Sequence, residues 1–299
     1  MKAKKSSQPF AGCFASDENT RVSLPLVFVG LPDDSQSSFR RGSAKAPARI
    51  RAAYDGYCYN ATTEAGVDLQ GKVADFGDML SEESWQQTAA SYRTFVCTLL
   101  VARKVPFFAG GDHAVTVPVV AALATLKRPV HVIQFDAHPD LYPVYEGTGD
   151  SHACVAARLL EMKHVASVTQ IGIRASNAEQ AEALVQYPHR LRQYEARDLT
   201  GDLPALPHIP AGAAVYLTID LDAFDPAFAP GVAHPVPGGL TPRQVLNFLQ
   251  RLDWQVVGAD VVEVNPELDL NDRTAILAAR LLHQVMGSVW LNLDRSKPR

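Results

Sequence analysis

Six short runs of branched and aromatic residues recur along this 299-residue chain, and their spacing leaves it few folds to adopt. They are Leu24–Leu31, Val105–Gly111, Val130–Asp136, Val168–Ile173, Ala214–Asp220 and Gln255–Val264. Each has strand length and is apolar on both sides of the alternation, as a strand covered on both faces must be. Between them lie segments of helical length and period: Ala46–Tyr54, Trp85–Lys104, Val115–Leu126, Thr241–Leu252 and Thr274–Trp290. Pro47 suits the first turn of its helix, and Phe95, Leu99 and Val101 give the second one apolar residues for the core. Strands alternating with helices predict an α/β fold with a mostly parallel central sheet. No internal repeat, low-complexity tract or linker-like shift divides the sequence. The expected organisation is a flexible N-terminal tail over 1–20 and one domain over 21–299.

Charge and composition narrow the partners. The net charge is −4 and the Lys and Arg residues are dispersed, so the chain carries no electrostatic footprint for nucleic acid. No stretch approaches the ~20 apolar residues that span a bilayer, so no membrane partner is expected. The opening MKAKKSSQPF is basic, but AGCFASDENT supplies no apolar core for a secretory leader, and the segment reads as a short tail, with a cleaved organelle-type leader as the second reading. Cys13, Cys58, Cys97 and Cys154 form no CxxC pair. They read as reduced thiols, which points to a cytoplasmic protein.

In a parallel sheet, ligands bind beyond the carboxyl ends of the strands. Four of the six runs end in chemistry: GGDH, DAHPD, DLDAFDP and Glu263. Strand alternation turns Asp136 and His138 to one side, and Asp140 follows in the loop. One imidazole and two carboxylates suit Mn²⁺ or Zn²⁺. Asp-rich turns are common, so this motif alone also fits a turn in which Asp caps the next element. Asp220 and Asp222 likewise share a face, and two carboxylates so close repel unless a cation or proton lies between them. Asp225 precedes Pro226 and reads as a turn former. His113 adds a second imidazole; a lone histidine there would be structural, but beside the other two clusters it completes a two-cation inventory. That inventory is His113, Asp136, His138, Asp140, Asp220 and Asp222.

The segments GGDHAVTVP, DAHPDLY and TIDLDAFDPAFAPGVAHPVPGGLT resemble the signatures of the ureohydrolase family, which includes arginase and agmatinase. SSFRRGSAKAPARIR, NATTEAGVDL, DAHPDLYPVYEGTGDSHA and VVGADVVEVNPELD are most similar to the plant-type arginases within it. The resemblance implies an arginase-like three-layer α/β/α fold, two Mn²⁺ per chain and hydrolysis of a small guanidino substrate to urea. It implies that His113 and Asp140 bind one ion, His138 and Asp222 the other, and that Asp136 and Asp220 bridge. It further implies that His152 shuttles protons, that Asp140 relays one to the leaving amine, and that Glu263 grips the guanidinium. His234 stands in GVAHP where many relatives carry a threonine, which places it near the substrate. The loop Tyr142–Ser151 is the place to seek donors for an α-carboxylate, with Ser151 as a candidate. L-arginine, cleaved to ornithine, is the expected substrate; agmatine, cleaved to putrescine, or guanidinobutyrate are the alternatives. A mononuclear zinc deacetylase of the same fold would need one Asp-x-His and a distant Asp, and His113, Asp140 and Asp222 exceed that set. A relative with a dead site would lack a ligand, and none is missing. The family resemblance also implies a homo-oligomer, a trimer or hexamer.

Overall fold

All six apolar runs form strands in the computed structural model, which describes residues 9–57 and 59–295. In chain order the strands are β1 (Leu26–Leu31), β2 (Val73–Asp78), β3 (Val105–Gly110), β4 (Val130–Phe135), β5 (Val165–Ile173), β6 (Leu191–Glu195), β7 (Ala214–Asp220) and β8 (Gln255–Val262). The helices are α1 (Glu18–Ser23), α2 (Ala46–Ala53), α3 (Trp85–Val101), α4 (Thr116–Ala122), α5 (Val155–Glu161), α6 (Ala178–Gln186), α7 (Pro242–Gln250) and α8 (Arg273–Arg295). The strands make one sheet in the order β2-β1-β3-β8-β7-β4-β5-β6, and every pairing is parallel.

Alternation along the strands sends side chains into two cores, which is why the apolar runs are continuous. Leu26, Phe28, Phe107, Ile133, Leu217 and Ile219 join Ile50 of α2, Val245 of α7 and Leu281 of α8 on one side. Val27, Val29, Phe108, Val132 and Tyr216 join Tyr92 of α3, Val119 of α4 and Leu159 of α5 on the other. The result is the expected three-layer α/β/α sandwich. Helix α7 starts on a full capping box, with Thr241 accepting from Gln244 N–H while the Gln244 side chain accepts from Thr241 N–H, and Pro242 opens its first turn.

The two strands absent from the sequence reading are the sheet edges. β2 reads VADFGD and is exposed over its last three residues, and β6 reads LRQYE, buried only at Leu191. The flexible tail expected over 1–20 is corrected from Pro9 onward; residues 1–8 of it lie outside the described residues. Phe10 and Cys13 are fully buried, and Phe10 lies 5.2 Å from the ring of Phe14 and 5.3 Å from that of Phe28. This small aromatic cluster ties the segment to β1, and Asp17 then caps α1 by accepting Thr20 N–H. No described helix is long and apolar enough to cross a membrane.

Candidate metal centre and guanidinium pocket

The sheet order brings β3, β8, β7 and β4 side by side at its centre. β3 and β4 are successive in sequence but separated by β8 and β7, which opens a crevice at their carboxyl ends. Four chain exits converge there: His113 after β3, Glu263 after β8, Asp220 and Asp222 around the end of β7, and Asp136 to Asp140 after β4. The backbone is fitted tightly. A Cβ on Gly111 would lie 1.8 Å from the Asp33 carbonyl oxygen, so this turn accepts only glycine. Asp112 accepts from Gln36 N–H and the Ser37 hydroxyl with one oxygen and from Ala114 N–H with the other, fixing the 35–38 loop beside the crevice. Asp140 and Glu263 are both held at positive φ, 51° and 63°, an uncommon conformation that side chains adopt where the surroundings over-determine it.

The six candidate ligands lie together. His113 Nδ1 is 3.2 Å from Asp136 Oδ2, 3.0 Å from Asp140 Oδ2 and 3.4 Å from Asp220 Oδ2. His138 Nδ1 is 2.9 Å from Asp222 Oδ2 and 3.7 Å from Asp136 Oδ1. Two three-residue groups able to hold a cation result, His113 with Asp136 and Asp140, and Asp136 with His138 and Asp222. Asp136 belongs to both, one oxygen to each. Asp220 lies on the His113 side, while its Oδ1 accepts the Asp222 N–H at 2.8 Å. Asp225 is a turn former: its carboxylate accepts the N–H groups of Ala227, Gly238 and Gly239.

The donor set fits divalent cations. His113 Nδ1 is buried with no hydrogen-bond partner although three carboxylate oxygens surround it. An imidazole lone pair facing carboxylate oxygens repels them unless a cation or a proton lies between. Burial, together with the Asp222, Asp136 and Glu263 charges, pushes the Asp220 carboxyl well above its ordinary range. Burial and Asp136 raise Asp140 to about 6. Burial opposes charge on His138, yet Asp222 and Asp136 push it up to about 11. Burial likewise opposes charge on Asp136, and the two imidazoles overcome it and hold the carboxyl below its ordinary value. The upward shifts of Asp220, Asp140 and His138 reflect crowded buried carboxylates whose negative charge two cations would neutralise.

A cavity of about 170 Å³ opens over this cluster, lined by Ser38, Tyr142, Tyr145, His152, His234 and Glu263 among others. Glu263 Oε1 accepts two donors, the His113 backbone N–H at 2.9 Å and His152 Nδ1 at 2.8 Å. The guanidinium-binding candidate and the proton-shuttle candidate are therefore a bonded pair. His152 Nε2 meets the Ser38 N–H at 3.2 Å and its hydroxyl at 2.8 Å. An amide N–H can only donate, so Nε2 accepts and the ring is neutral as placed. Burial disfavours charge on His152, and Glu263 pushes its pKa up to about 9; the Ser38 amide opposes that protonation. His234 lies 5.2 Å from the His152 ring, 5.9 Å from His138 and 5.6 Å from Phe39, at the edge of the same cavity. Ser151 does not line it. Its hydroxyl turns back to accept the Ala153 N–H, so the expectation of a substrate contact at Ser151 is corrected to a cap of the His152–Cys154 turn.

Several supporting residues carried no motif. Gln134 donates to Asp136 at 2.8 Å, Gln170 donates to Gln134 and Gln193 to Gln170, a ladder running from β6 to the shared carboxylate. Each sits opposite the next in register, which a single strand cannot reveal. Arg174 donates to the carbonyls of Asp222, Ala223, Phe224 and Val236, bracing the loop after β7.

Residues 24–287 match the arginase family. The chain is 38% identical over 275 residues to arginase 1, mitochondrial, of Arabidopsis thaliana, covering 87% of this chain and 80% of that protein. Among solved structures it is similar to the agmatine ureohydrolase of Thermoplasma volcanium, at TM-score 0.84 and 30% identity over 98% of this chain and 97% of the other. It is also similar to the arginase of Medicago truncatula, at TM-score 0.77 and 34% identity over 89% and 88%. The cytoplasmic location expected from cysteine usage is corrected by these relatives, since the similar plant arginases are named mitochondrial or chloroplastic. Cys13, Cys97 and Cys154 are free thiols among the described residues, and free thiols do not distinguish cytosol from organelle.

Proposed function

We propose that this chain, which belongs to the arginase family, hydrolyses the guanidinium group of L-arginine to urea and ornithine with two Mn²⁺ ions bound between the strand ends. Hydrolysis of a carbon–nitrogen bond in a small guanidino substrate and dependence on metal come with the family. The observation that carries the two-ion reading is the pair of ligand groups sharing Asp136 directly beneath a cavity that Glu263 faces. His113, Asp136 and Asp140 would hold one ion, and Asp136, His138 and Asp222 the other, with Asp220 on the His113 side. A carboxylate-rich set favours Mn²⁺ over Zn²⁺. When bound, such a pair of cations lowers the pKa of a water toward about 7 and so supplies the nucleophile that a delocalised guanidinium demands.

The chain's own groups do the rest. Glu263 accepts hydrogen bonds from the guanidinium through the oxygen not already taken by His113 N–H and His152, and so aims the carbon at the centre. Asp140 accepts the proton released on attack and passes it to the leaving amine. His152, between Glu263 and Ser38, exchanges protons with the cavity once the Ser38 contact opens. Loop residues Tyr142 and Tyr145 and the amide of Gln180 meet the far end of the substrate, where arginine and agmatine differ.

Arginine is favoured by 38% identity to a plant arginase, against 33% to the agmatinase of Bacillus cereus. Likeness to a solved agmatine ureohydrolase supports agmatine as the second reading. A urea-release screen of Mn²⁺-loaded protein over L-arginine, agmatine and guanidinobutyrate decides between them. Ornithine as the main product upholds the proposal, and putrescine from agmatine as the faster reaction replaces it. The family likeness further supports a trimer or hexamer, which sedimentation of the intact protein tests.

A further inference from the structure

One buried acid has no part in the chemistry above. Asp260 lies in the middle of β8, fully buried, opposite Thr218 in the β7–β8 register. Its Oδ2 accepts the Tyr216 hydroxyl at 2.7 Å and the Thr116 hydroxyl at 2.9 Å. Thr116 Oγ1 is 3.4 Å from Thr218 Oγ1, and Thr218 Oγ1 is 3.0 Å from His113 Nε2. A continuous chain of polar atoms thus runs from β8 through the start of α4 and β7 to His113. Its two termini, Asp260 Oδ1 and His113 Nδ1, are both buried and unpartnered among the described residues.

The donor inventory gives this chain a direction. A carboxylate only accepts, so Thr116 commits its proton to Asp260. Its oxygen is then left to accept from Thr218, whose own oxygen accepts in turn from His113 Nε2–H. With Nε2 protonated, the neutral ring carries its lone pair on Nδ1, the atom that faces Asp136, Asp140 and Asp220. An apolar side chain at position 260 would spare the desolvation of a buried carboxylate, so packing gives no reason for an acid there. Burial raises the Asp260 pKa, while the adjacent Thr218, Tyr216 and Thr116 hydroxyls and the nearby His113 oppose it.

We propose that Asp260 is a positioning residue that acts through Thr116 and Thr218 to fix the tautomer and orientation of the His113 imidazole for metal binding. The inference rests on the reading of His113 as a metal ligand. Partners of this kind behind a ligating histidine are typically worth about 10–100-fold in metal affinity. The test is calorimetric titration of Mn²⁺ into chelator-stripped, full-length protein for wild type, Thr218→Val, Thr218→Ser and Asp260→Asn. Thr218→Val keeps the shape and removes the hydroxyl, so it is the variant best placed to fold unchanged. Val at 218 and Asn at 260 are expected to weaken one of the two sites by ~10–100-fold and leave the other unchanged, and Ser at 218 to restore wild-type affinity. Nitrogen-15 spectra of the metal-free histidines are expected to show His113 losing its Nε2–H preference in Thr218→Val. Wild-type affinity at both sites in Thr218→Val and Asp260→Asn, or an equal loss in Thr218→Ser, overturns the inference alone. A wild-type protein that binds no Mn²⁺ overturns the metal-centre reading and this inference with it.

Discussion

Replacing Glu263 with Gln separates substrate binding from metal binding. Oε1 already accepts two N–H donors, His113 N at 2.9 Å and His152 Nδ1 at 2.8 Å. A glutamine must therefore place its amide oxygen at that position and turn its NH₂ toward the cavity. Donors would then face the donors of the guanidinium. Two hydrogen bonds to a charged acceptor are lost, at about 1.5–3 kcal/mol each, or ~3–6 kcal/mol together. At ~1.4 kcal/mol per tenfold, kcat/KM falls by roughly 10²–10⁴-fold. Glu263 belongs to neither ligand group, so both ions stay bound. The assay is urea release across a range of substrate concentrations, paired with metal content per chain. A variant within threefold of wild type by that assay, or one that sheds an ion, refutes the reasoning.

Three further outcomes follow from particular contacts. His152→Asn should keep both ions and lose about 10²–10⁴-fold in turnover, with added imidazole restoring part of it; full activity across the pH range would reassign His152 to structure. Burial, with Arg280 adding to it, holds the His283 pKa down at about 4 against its bond to the Ala61 carbonyl. The neutral folded ring thus contributes stability above pH ~6.5 that is lost as pH falls toward 4, about 2 kcal/mol of it by pH 5. Urea denaturation of wild type and His283→Gln at both ends of that window should show the steeper loss in wild type, and parallel curves would contradict it. Gly111→Ala sets a Cβ against the Asp33 carbonyl at 1.8 Å and should cost about 3 kcal/mol or more, read as a lowered unfolding midpoint; an unchanged midpoint would show that the turn is not tight.

The sheet's centre was legible because its strands are covered on both faces and so are largely apolar, as Val130–Phe135 and Ala214–Asp220 are. The edge strands β2 and β6 escaped because one side of each meets water and the residues there are polar. Helices α5 and α6 escaped as well: α5 is seven residues long, and α6 buries only Gln180. The candidate ligand clusters were legible as motifs at the ends of two apolar runs, although Asp136 and His138 follow β4 in an irregular turn and Asp222 lies in the short turn after β7, where strand alternation no longer applies. The His152–Glu263 bond joins residues 111 positions apart, and the Asp260 chain joins three elements. Those pairings depend on which strands are neighbours, which a run of residues does not encode. Ser151 misled because a loop serine next to a site histidine has the same local sequence whether it faces the cavity or caps the turn.

Metal content per chain is the most direct test of a centre built on one shared carboxylate. Elemental analysis of Mn²⁺-reconstituted protein should give two ions in wild type, one in Asp222→Ala and fewer than one in Asp136→Ala, with urea release from L-arginine abolished by chelation and restored by Mn²⁺. A single tightly held Zn²⁺ accompanied by full activity would contradict the account.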